Sequence, residues 1–194
     1  MKNLKNTSEL WNSFKKGNKK SFETLYQSNI KELINYGYRV TNNKDFVRDG
    51  IQDLFLDLWK QRENLSPTNS IQFYLFRALR NRILRNISKE DSSRFTLSEF
   101  DHKLIENIAE VQNGIENDKE SPQYKQLYHA VANLPKRQQE AIQLRYYHEF
   151  ELEEIASIME INNQSVRNML FRAIAHLRNV IKPLVIFCIY YELP

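Results

Sequence analysis

The 194-residue chain has few of the residues that break helices or crosslink a fold. It contains only 4 Gly, 5 Pro and a single cysteine, Cys188. One thiol cannot form an internal disulfide, which excludes a disulfide-stapled scaffold and fits a reducing cytosol. The scarcity of glycine and proline, together with long stretches of 3.6-residue periodicity, predicts an almost entirely α-helical protein.

Long hydrophobic runs are also missing. The N-terminus, MKNLKNTSELWNSFKKG, has no apolar segment of the kind that a secretory signal needs. The tail IKPLVIFCIYYELP is apolar but too short to span a bilayer, and Pro183 and Glu192 interrupt it. We therefore expect a cytoplasmic protein without direct membrane insertion. Its tail is predicted to pack on the last helix, or alternatively to be covered by a partner.

The residue patterns of common catalytic and cofactor sites are missing as well. The four histidines show no pairing with carboxylates or with the thiol at metal-ligand spacing, and there is no glycine-rich phosphate loop. A catalytic carboxylate pair is the alternative that the sequence leaves open. We expect no enzyme, no metal, no cofactor and no small-molecule substrate.

Charge is distributed unevenly along the chain. Residues 1–87 hold 16 Lys+Arg against 8 Asp+Glu, whereas residues 88–122 hold 4 against 9. The second of these segments also loses helical periodicity, which predicts a flexible acidic linker. The periodic segments predict two small helical domains, 8–87 and 123–182, followed by the apolar tail 183–194. A composition of 41% hydrophobic residues is enough to give such domains a core.

The most specific pattern lies near the C-terminus, in residues 152–178. Two apolar stripes recur at helical spacing on either side of a short break: Leu152, Ile155, Ala156 and Met159, then Val166, Leu170, Ala173 and Leu177. In the break, the paired Asn162 and Asn163 are predicted to take the left-handed conformation of a tight turn. This arrangement is typical of a helix-turn-helix, whose second helix enters the DNA major groove.

The outer side of that second helix carries side chains that can bond to bases or phosphates. They are Gln164, Ser165, Arg167, Asn168 and Arg172. An ordinary helical hairpin with a solvated polar face is the alternative.

A helix predicted over residues 71–87 combines two stripes. Its apolar residues are Leu75, Phe76, Leu79, Ile83 and Ile87, and its polar ones are Tyr74, Arg77, Asn81 and Arg85 at i, i+3, i+7 and i+11. Arg80 and Arg82 flank the core face and are expected to add charge. Cations interleaved with an aromatic ring suit single-stranded or locally melted nucleic acid. A basic solvated face is the alternative.

A third helix, predicted over residues 45–61, has an apolar face made by Ile51, Leu54, Phe55 and Leu58. Its other face carries Asp49, Gln52, Asp53 and Lys60. Such a face is usually solvated, but its carboxylates also suit docking onto a basic partner.

Taken in order, these segments resemble the alternative sigma factors of bacterial RNA polymerase, specifically the extracytoplasmic-function (ECF) group. DGIQDLFLDLW resembles the family's D-x-x-Q-E-x-F-x-x-L-W helix in region 2, and YLFRALRN its W-L-x-x-I-A-x-N. LPKRQQEAIQLRYYHEFELEEIA resembles the family's L-P-x-x-x-R-E-V-x-x-L-R-Y-x-x-x-x-x-x-E-I-A, with Gln139 where Arg is usual. INNQSVRNMLFRAIAHLR resembles the family's recognition helix.

The resemblance implies a transcription initiation factor whose partners are core RNA polymerase (β′ clamp and β flap), promoter DNA and an anti-sigma factor. Asp49, Gln52 and Asp53 would dock on the β′ clamp. The loop 62–72 and the helix 71–87, with Tyr74, Arg77, Asn81, Arg82 and Arg85, would open the −10 element and hold an extruded base. The helix from residue 164, together with Arg145, would bind the −35 element. The acidic linker would pass through the RNA exit channel.

Two other functional classes stay open at this point. A stand-alone helix-turn-helix regulator would bind duplex operators tightly without polymerase, but it would need neither the aromatic and basic stripe nor an acidic linker. A plain helical interaction module would need no nucleic-acid surface.

Overall fold

The computed structural model describes residues 2–90 and 122–191. Within these ranges every regular element is helical and there is no strand, so the predicted all-α class is confirmed. The contacts divide the chain into two compact units, Met1–Leu97 and Ser98–Pro194. Nearly all of the predicted linker 88–122 lies outside the described residues.

The described part of the first unit, residues 2–90, consists of four helices and one short turn. They are α1 (Lys2–Lys15), α2 (Lys19–Val40), α3 (Lys44–Lys60), a 3-10 turn (Arg62–Asn64) and α4 (Ile71–Glu90). The helices α2, α3 and α4 pack against one another in pairs, and α1 packs on α2. The side chains of Asn18 and Asn43 accept hydrogen bonds from free backbone N–H groups at the starts of α2 and α3. These caps fix where the two helices begin.

The core of the first unit is formed by the predicted stripes of α3 and α4. Leu75, Leu79 and Ile83 are completely buried, and Ile87 at the end of the stripe is half-buried. The helices α2 and α3 approach closely because one of them carries a glycine at the contact. A Cβ atom added at Gly37 would lie 2.5 Å from Cγ1 of Val47.

Helix α1 is an element that the sequence patterns did not predict. Its Trp11 and Phe14 are 1% and 0% exposed. Their rings form an aromatic cluster with Phe22 and Trp59, in which neighbouring ring centroids lie 5.1–6.4 Å apart. Two aromatic residues at i and i+3 in a lysine-rich segment give a weak periodic signal, although they contribute much buried area.

In residues 122–191 of the second unit there are four helices, and the first three pack on the last one. They are α5 (Pro122–Ala132), α6 (Lys136–Ile142) continued by a π-helical turn (Gln143–Tyr147), α7 (Leu152–Met159) and α8 (Asn163–Tyr191). Each of α5, α6 and α7 packs on α8. Buried Gln139, at the position where the resembling family has Arg, donates hydrogen bonds to the carbonyls of Ala132 and Leu134. It therefore satisfies backbone acceptors at the end of α5.

The helix-turn-helix is present, with Val166 and Ala173 completely buried and Leu170 7% exposed. The prediction that Asn162 and Asn163 take the left-handed conformation is wrong. Glu160 takes the left-handed conformation (φ 54°), which suits the residue that ends α7. The side chain of Asn162 instead accepts the N–H of Ser165 at 2.8 Å and caps α8, a role for which asparagine is well suited.

Helix α8 continues through residues 183–191, so the expectation of a separate tail packed on the last helix is also wrong. Proline inside a helix removes one backbone N–H donor, and its ring crowds the carbonyl four residues earlier. The helix nevertheless continues through Pro183. Among the described helices, none is both long and apolar enough to cross a membrane.

A pH dependence of stability follows from the surroundings of His148, which is 7% exposed and packs against the rings of Tyr147 and Phe150. Burial lowers the pKa of His148 to about 4. The unfolded chain, whose histidine titrates near 6.5, then binds more protons between these two values. The contribution of His148 is present above pH 6.5 and is lost as the pH falls towards 4.

We expect His148→Gln to remove this dependence, because glutamine does not titrate. Urea unfolding of both proteins should show the midpoint of the wild type falling more steeply between pH 6.5 and 4 than that of the variant. Parallel curves would contradict the burial of a neutral imidazole.

Candidate nucleic-acid interface

The basic and aromatic stripe of α4 lies on the surface as predicted, with its members exposed to different degrees. Arg77 and Arg85 are exposed, whereas Tyr74 and Asn81 are half-buried. Burial raises the pKa of the Tyr74 hydroxyl, and Asp57 adds to that effect while Arg82 opposes it. The phenol therefore stays protonated at neutral pH and keeps its hydrogen-bond donor.

Two of the arginines on α4 are less exposed than the sequence predicted. Arg80 is 5% exposed, so the expectation that it adds surface charge is wrong. Arg82 is held by α3, since its Nη2 lies 3.0 Å from Oδ2 of Asp57 and its Nη1 donates to the carbonyl of Ala78. The exposed cations of this stripe are Arg77 and Arg85, while Arg82 is a partly buried charge in a fixed position.

Asn81 lies between the two exposed arginines along the stripe. Its Oδ1 is buried and has no hydrogen-bond partner within the described part of the chain. A buried acceptor without a partner costs free energy, and in this conformation the oxygen is not open to a ligand. The amide of Asn81 would have to turn outwards before it could hydrogen-bond to a base.

The loop before α4 is shaped by hydrogen bonds from within and from α1. Ser70 caps α4 by accepting the N–H of Phe73 at 3.1 Å, and the hydroxyl of Thr68 bonds to both backbone groups of Ser70. Nε1 of Trp11 donates to the carbonyl oxygen of Ser66 at 3.0 Å. The residues predicted to bind melted DNA thus adjoin a loop that is tied to the N-terminal helix.

The second candidate surface is the start of α8. Gln164, Arg167, Asn168 and Arg172 are exposed and Ser165 is half-buried, so the structure brings these five predicted residues together on one helix. Nε2 of Gln164 lies 3.1 Å from Oδ1 of Asn168, which orients both amides. Because the buried stripe faces α5–α7, these side chains point away from the unit.

Arg145 occupies a different position. It lies on the π-helical turn and is half-buried, and its Nη1 donates to the carbonyl of Phe150 at 2.9 Å and to Oε2 of Glu151 at 3.2 Å. These bonds connect the π-helical turn to the start of α7. Arg145 is therefore already engaged, although its side chain is 35% exposed.

The sequence patterns missed Phe171, whose side chain points to solvent on α8 and which is 75% exposed. It follows Arg167 by four residues and Asn168 by three, so it lies on the same face of the helix. An exposed phenyl ring beside polar groups can contact the methyl group of thymine in the major groove. The sequence did contain a signal for this exposure, because Phe171 is an aromatic residue that lies outside the buried stripe of Val166, Leu170 and Ala173.

The predicted docking residues Asp49, Gln52 and Asp53 are all exposed on α3. Next to them an open apolar groove of ≈ 1060 Å³ runs between α2 and α3, with Gln52 in its lining. Tyr26 and Leu56 in this groove are 40% and 47% exposed. The groove was not predicted from sequence, because it depends on how two helices pack side by side.

In the described ranges, no group of three or more His, Cys, Asp or Glu side chains is placed to hold a metal ion. The side chains of these surfaces offer ion pairing, hydrogen bonding and stacking.

Comparison with known proteins places both surfaces in matched segments. Residues 25–93 match "Sigma-70 region 2" and residues 124–177 match "Sigma-70, region 4". The ECF RNA polymerase sigma-E factor of Escherichia coli (strain K12) is 27% identical over 180 residues, covering 88% of this chain and 91% of that protein. The ECF RNA polymerase sigma-E factor of Salmonella typhimurium (strain LT2) has the same identity and coverage.

Two solved structures share the fold at 18% sequence identity. One is the sigma factor RpoE from Bartonella quintana in complex with the anti-sigma factor NepR, with a TM-score of 0.57 and coverage of 84% of this chain and 98% of that one. The other is CnrH in complex with the cytosolic domain of CnrY, with a TM-score of 0.59 and coverage of 91% and 97%.

Proposed function

The chain belongs to the sigma-70 family, in the ECF group of RNA polymerase sigma factors, and from this membership we propose how its surfaces act. Sigma factors are non-enzymatic, and this one serves promoter-specific transcription initiation. We propose that it binds core RNA polymerase in the cytoplasm and directs it to promoters with defined −10 and −35 elements. The observation that supports this proposal is that one chain carries two separate exposed surfaces with basic and polar side chains, on α4 and α8, in the segments that match regions 2 and 4.

We propose that the regions divide the work as follows. Residues 8–87 act as the region 2 domain that docks on polymerase and opens the −10 element, and residues 123–182 act as the region 4 domain that binds the −35 element. The linker 88–122 carries 4 Lys+Arg against 9 Asp+Glu. That excess of negative charge supports passage through a channel built for RNA.

Docking on polymerase is assigned to the exposed face of α3. Asp49 and Asp53 lie four residues apart, so they share one face of the helix with Gln52 beside them. Carboxylates at an exposed rim increase association rates and select a basic partner, here the β′ clamp. The adjoining apolar groove supplies surface whose burial would stabilise the complex.

Opening of the −10 element is assigned to α4 and the loop before it. Extracting a base from the duplex costs a few kcal/mol. Stacking on an aromatic ring contributes about 1–3 kcal/mol per base, which Tyr74 can supply. Arg77 and Arg85 add phosphate contacts, and the amide of Asn81 can hydrogen-bond to a base once it turns outwards. Together these terms are large enough to offset the extraction.

Recognition of the −35 element is assigned to the first turns of α8, with Arg145 as a further contact. Arg167 can bond bidentately to guanine, and Gln164 or Asn168 to adenine. The β flap of polymerase is the proposed neighbour of this domain. We also propose that an anti-sigma factor holds the protein inactive, as the partners of the two structural relatives suggest.

A stand-alone regulator that binds duplex operators remains the second candidate, and α8 alone would serve it equally well. Run-off transcription separates the two. With purified core polymerase and the DNA upstream of its own gene, we expect a specific transcript only when this protein is added. Tight specific DNA binding without polymerase, and no transcript with it, would favour the regulator.

We expect Asp53→Arg to weaken binding to core polymerase by more than about tenfold, since it places a positive charge against a basic surface. Co-purification with core and fluorescence anisotropy would measure the loss. Glu9→Arg is the matched control, because it reverses an exposed carboxylate on α1. Equal binding by both variants would remove α3 from the docking surface.

We expect Arg167→Ala to weaken promoter binding by about 1–3 kcal/mol and to relax base preference at one position of the −35 element. Binding of holoenzyme to promoters with single substitutions would detect both effects. Arg178→Ala is the control, since Arg178 lies on nearly the same face of α8 but about 16 Å further along it. If both variants lose affinity equally for all sequences, Arg167 contacts phosphate and does not discriminate bases.

A further inference from the structure

Trp11 connects the N-terminal helix to both walls of the proposed −10 site. Its Nε1 donates to the carbonyl of Ser66, 55 positions further along the chain, at 3.0 Å. Its ring meets that of Tyr74 in an edge-to-face contact, with centroids 5.5 Å apart and planes at 60°. One side chain therefore touches the loop on one side and the stacking residue of α4 on the other.

The ring of Trp11 is itself held firmly in place. It is 1% exposed and lies 5.5 Å from the ring of Phe14, which in turn packs on Phe22 of α2 and Trp59 of α3. A side chain packed on this scale has one rotamer available. The position of its N–H is thus fixed by the core of the unit rather than by the loop.

The position of the loop relative to Tyr74 depends on the hydrogen bond from Trp11 and not on the hydrogen bonds within the loop. The bonds of Thr68 and Ser70 join residues within three positions of one another, so they shape the loop without setting where it lies. Ser66 and Pro67 are exposed. The bond from Trp11 is a long-range contact, and it limits how far Ser66 can move from Tyr74.

We propose that Trp11 is a positioning residue for base capture: it holds the loop 65–70 at the distance from Tyr74 that an extruded −10 base requires. This inference rests on the proposed function of α4. Trp11 precedes residues 25–93, the segment that matches region 2, whereas its partners Ser66 and Tyr74 lie within that segment. The indole does not touch DNA; it acts through the carbonyl of Ser66 and the ring of Tyr74.

Removing the indole N–H should reduce promoter opening while leaving docking intact. Trp11→Phe keeps a ring in the cluster but has no donor, and 3-benzothienylalanine at position 11 keeps the full bicyclic shape without the N–H. A single hydrogen bond of this kind corresponds to about a fivefold change in an equilibrium. We expect about fivefold less open complex from both replacements, measured by permanganate reactivity of unpaired thymines in a promoter that the wild-type holoenzyme opens.

Two controls separate positioning from general destabilisation. Leu33→Val removes one carbon from a buried side chain of α2. Leu33 lies about 21 Å along α2 from its first residue, and so it is distant from the turn that joins α1 to α2. The substitution should lower the urea midpoint of the protein without changing open-complex formation. Binding of all variants to core polymerase should agree with the wild type within twofold, because α3 is unchanged.

The possible results distinguish a failure of the role of Trp11 from a failure of the proposed function. Normal core binding with undiminished open complex in the benzothienylalanine protein would overturn the role of Trp11 and leave the proposed function standing. An equal loss of open complex in Leu33→Val would also overturn it, since stability alone would then explain the defect. Failure of the wild-type protein to bind core polymerase would overturn the proposed function and this inference together.

Discussion

The burial of one stripe of α4 against α2 and α3 is the contact on which the first unit depends. Successive residues of a helix are 100° apart, so burying Leu75, Leu79 and Ile83 turns Arg77 and Arg85 outwards. The core and the candidate nucleic-acid surface are therefore two consequences of one packing arrangement. In α8 the same geometry applies, where burial of the stripe from Val166 to Ala173 leaves Arg167 and Phe171 facing solvent.

The charged side chains of α3 and α4 differ in whether they pair with one another. Asp57 faces α4 and holds Arg82, whereas Asp49 and Asp53, on the same helix, stay exposed. A partly exposed ion pair contributes little to the free energy of folding, but it fixes the orientation of a guanidinium group. Helix α3 thus carries a row of carboxylates in which Asp57 orders a candidate DNA-binding cation, while Asp49 and Asp53 form the proposed docking surface.

The parts of this arrangement that a sequence can predict are those set within one helix. The stripes of α3, α4 and α8 were predicted because each repeats at 3.6 residues, and the outward residues of α8 followed from them. Features set between elements were not predictable. The burial of Arg80, the groove between α2 and α3 and the bond from Trp11 to Ser66 all depend on which helices become neighbours. The left-handed Glu160 was missed because helix-end geometry outweighed the usual preference of asparagine for that conformation.

The proposed DNA contacts are divided between α4 and α8, and neither surface alone would give high promoter specificity. A recognition helix that makes a few base contacts discriminates by only about 1–3 kcal/mol per bidentate pair, and a stacking site on α4 has little sequence preference of its own. Joining two such sites raises the effective concentration of the second once the first is bound, provided that the geometry allows both to engage. In the proposed complex that geometry is set by the polymerase on which α3 would dock. Selective promoter binding is then a property of the assembled enzyme, and the isolated chain needs neither surface to bind tightly.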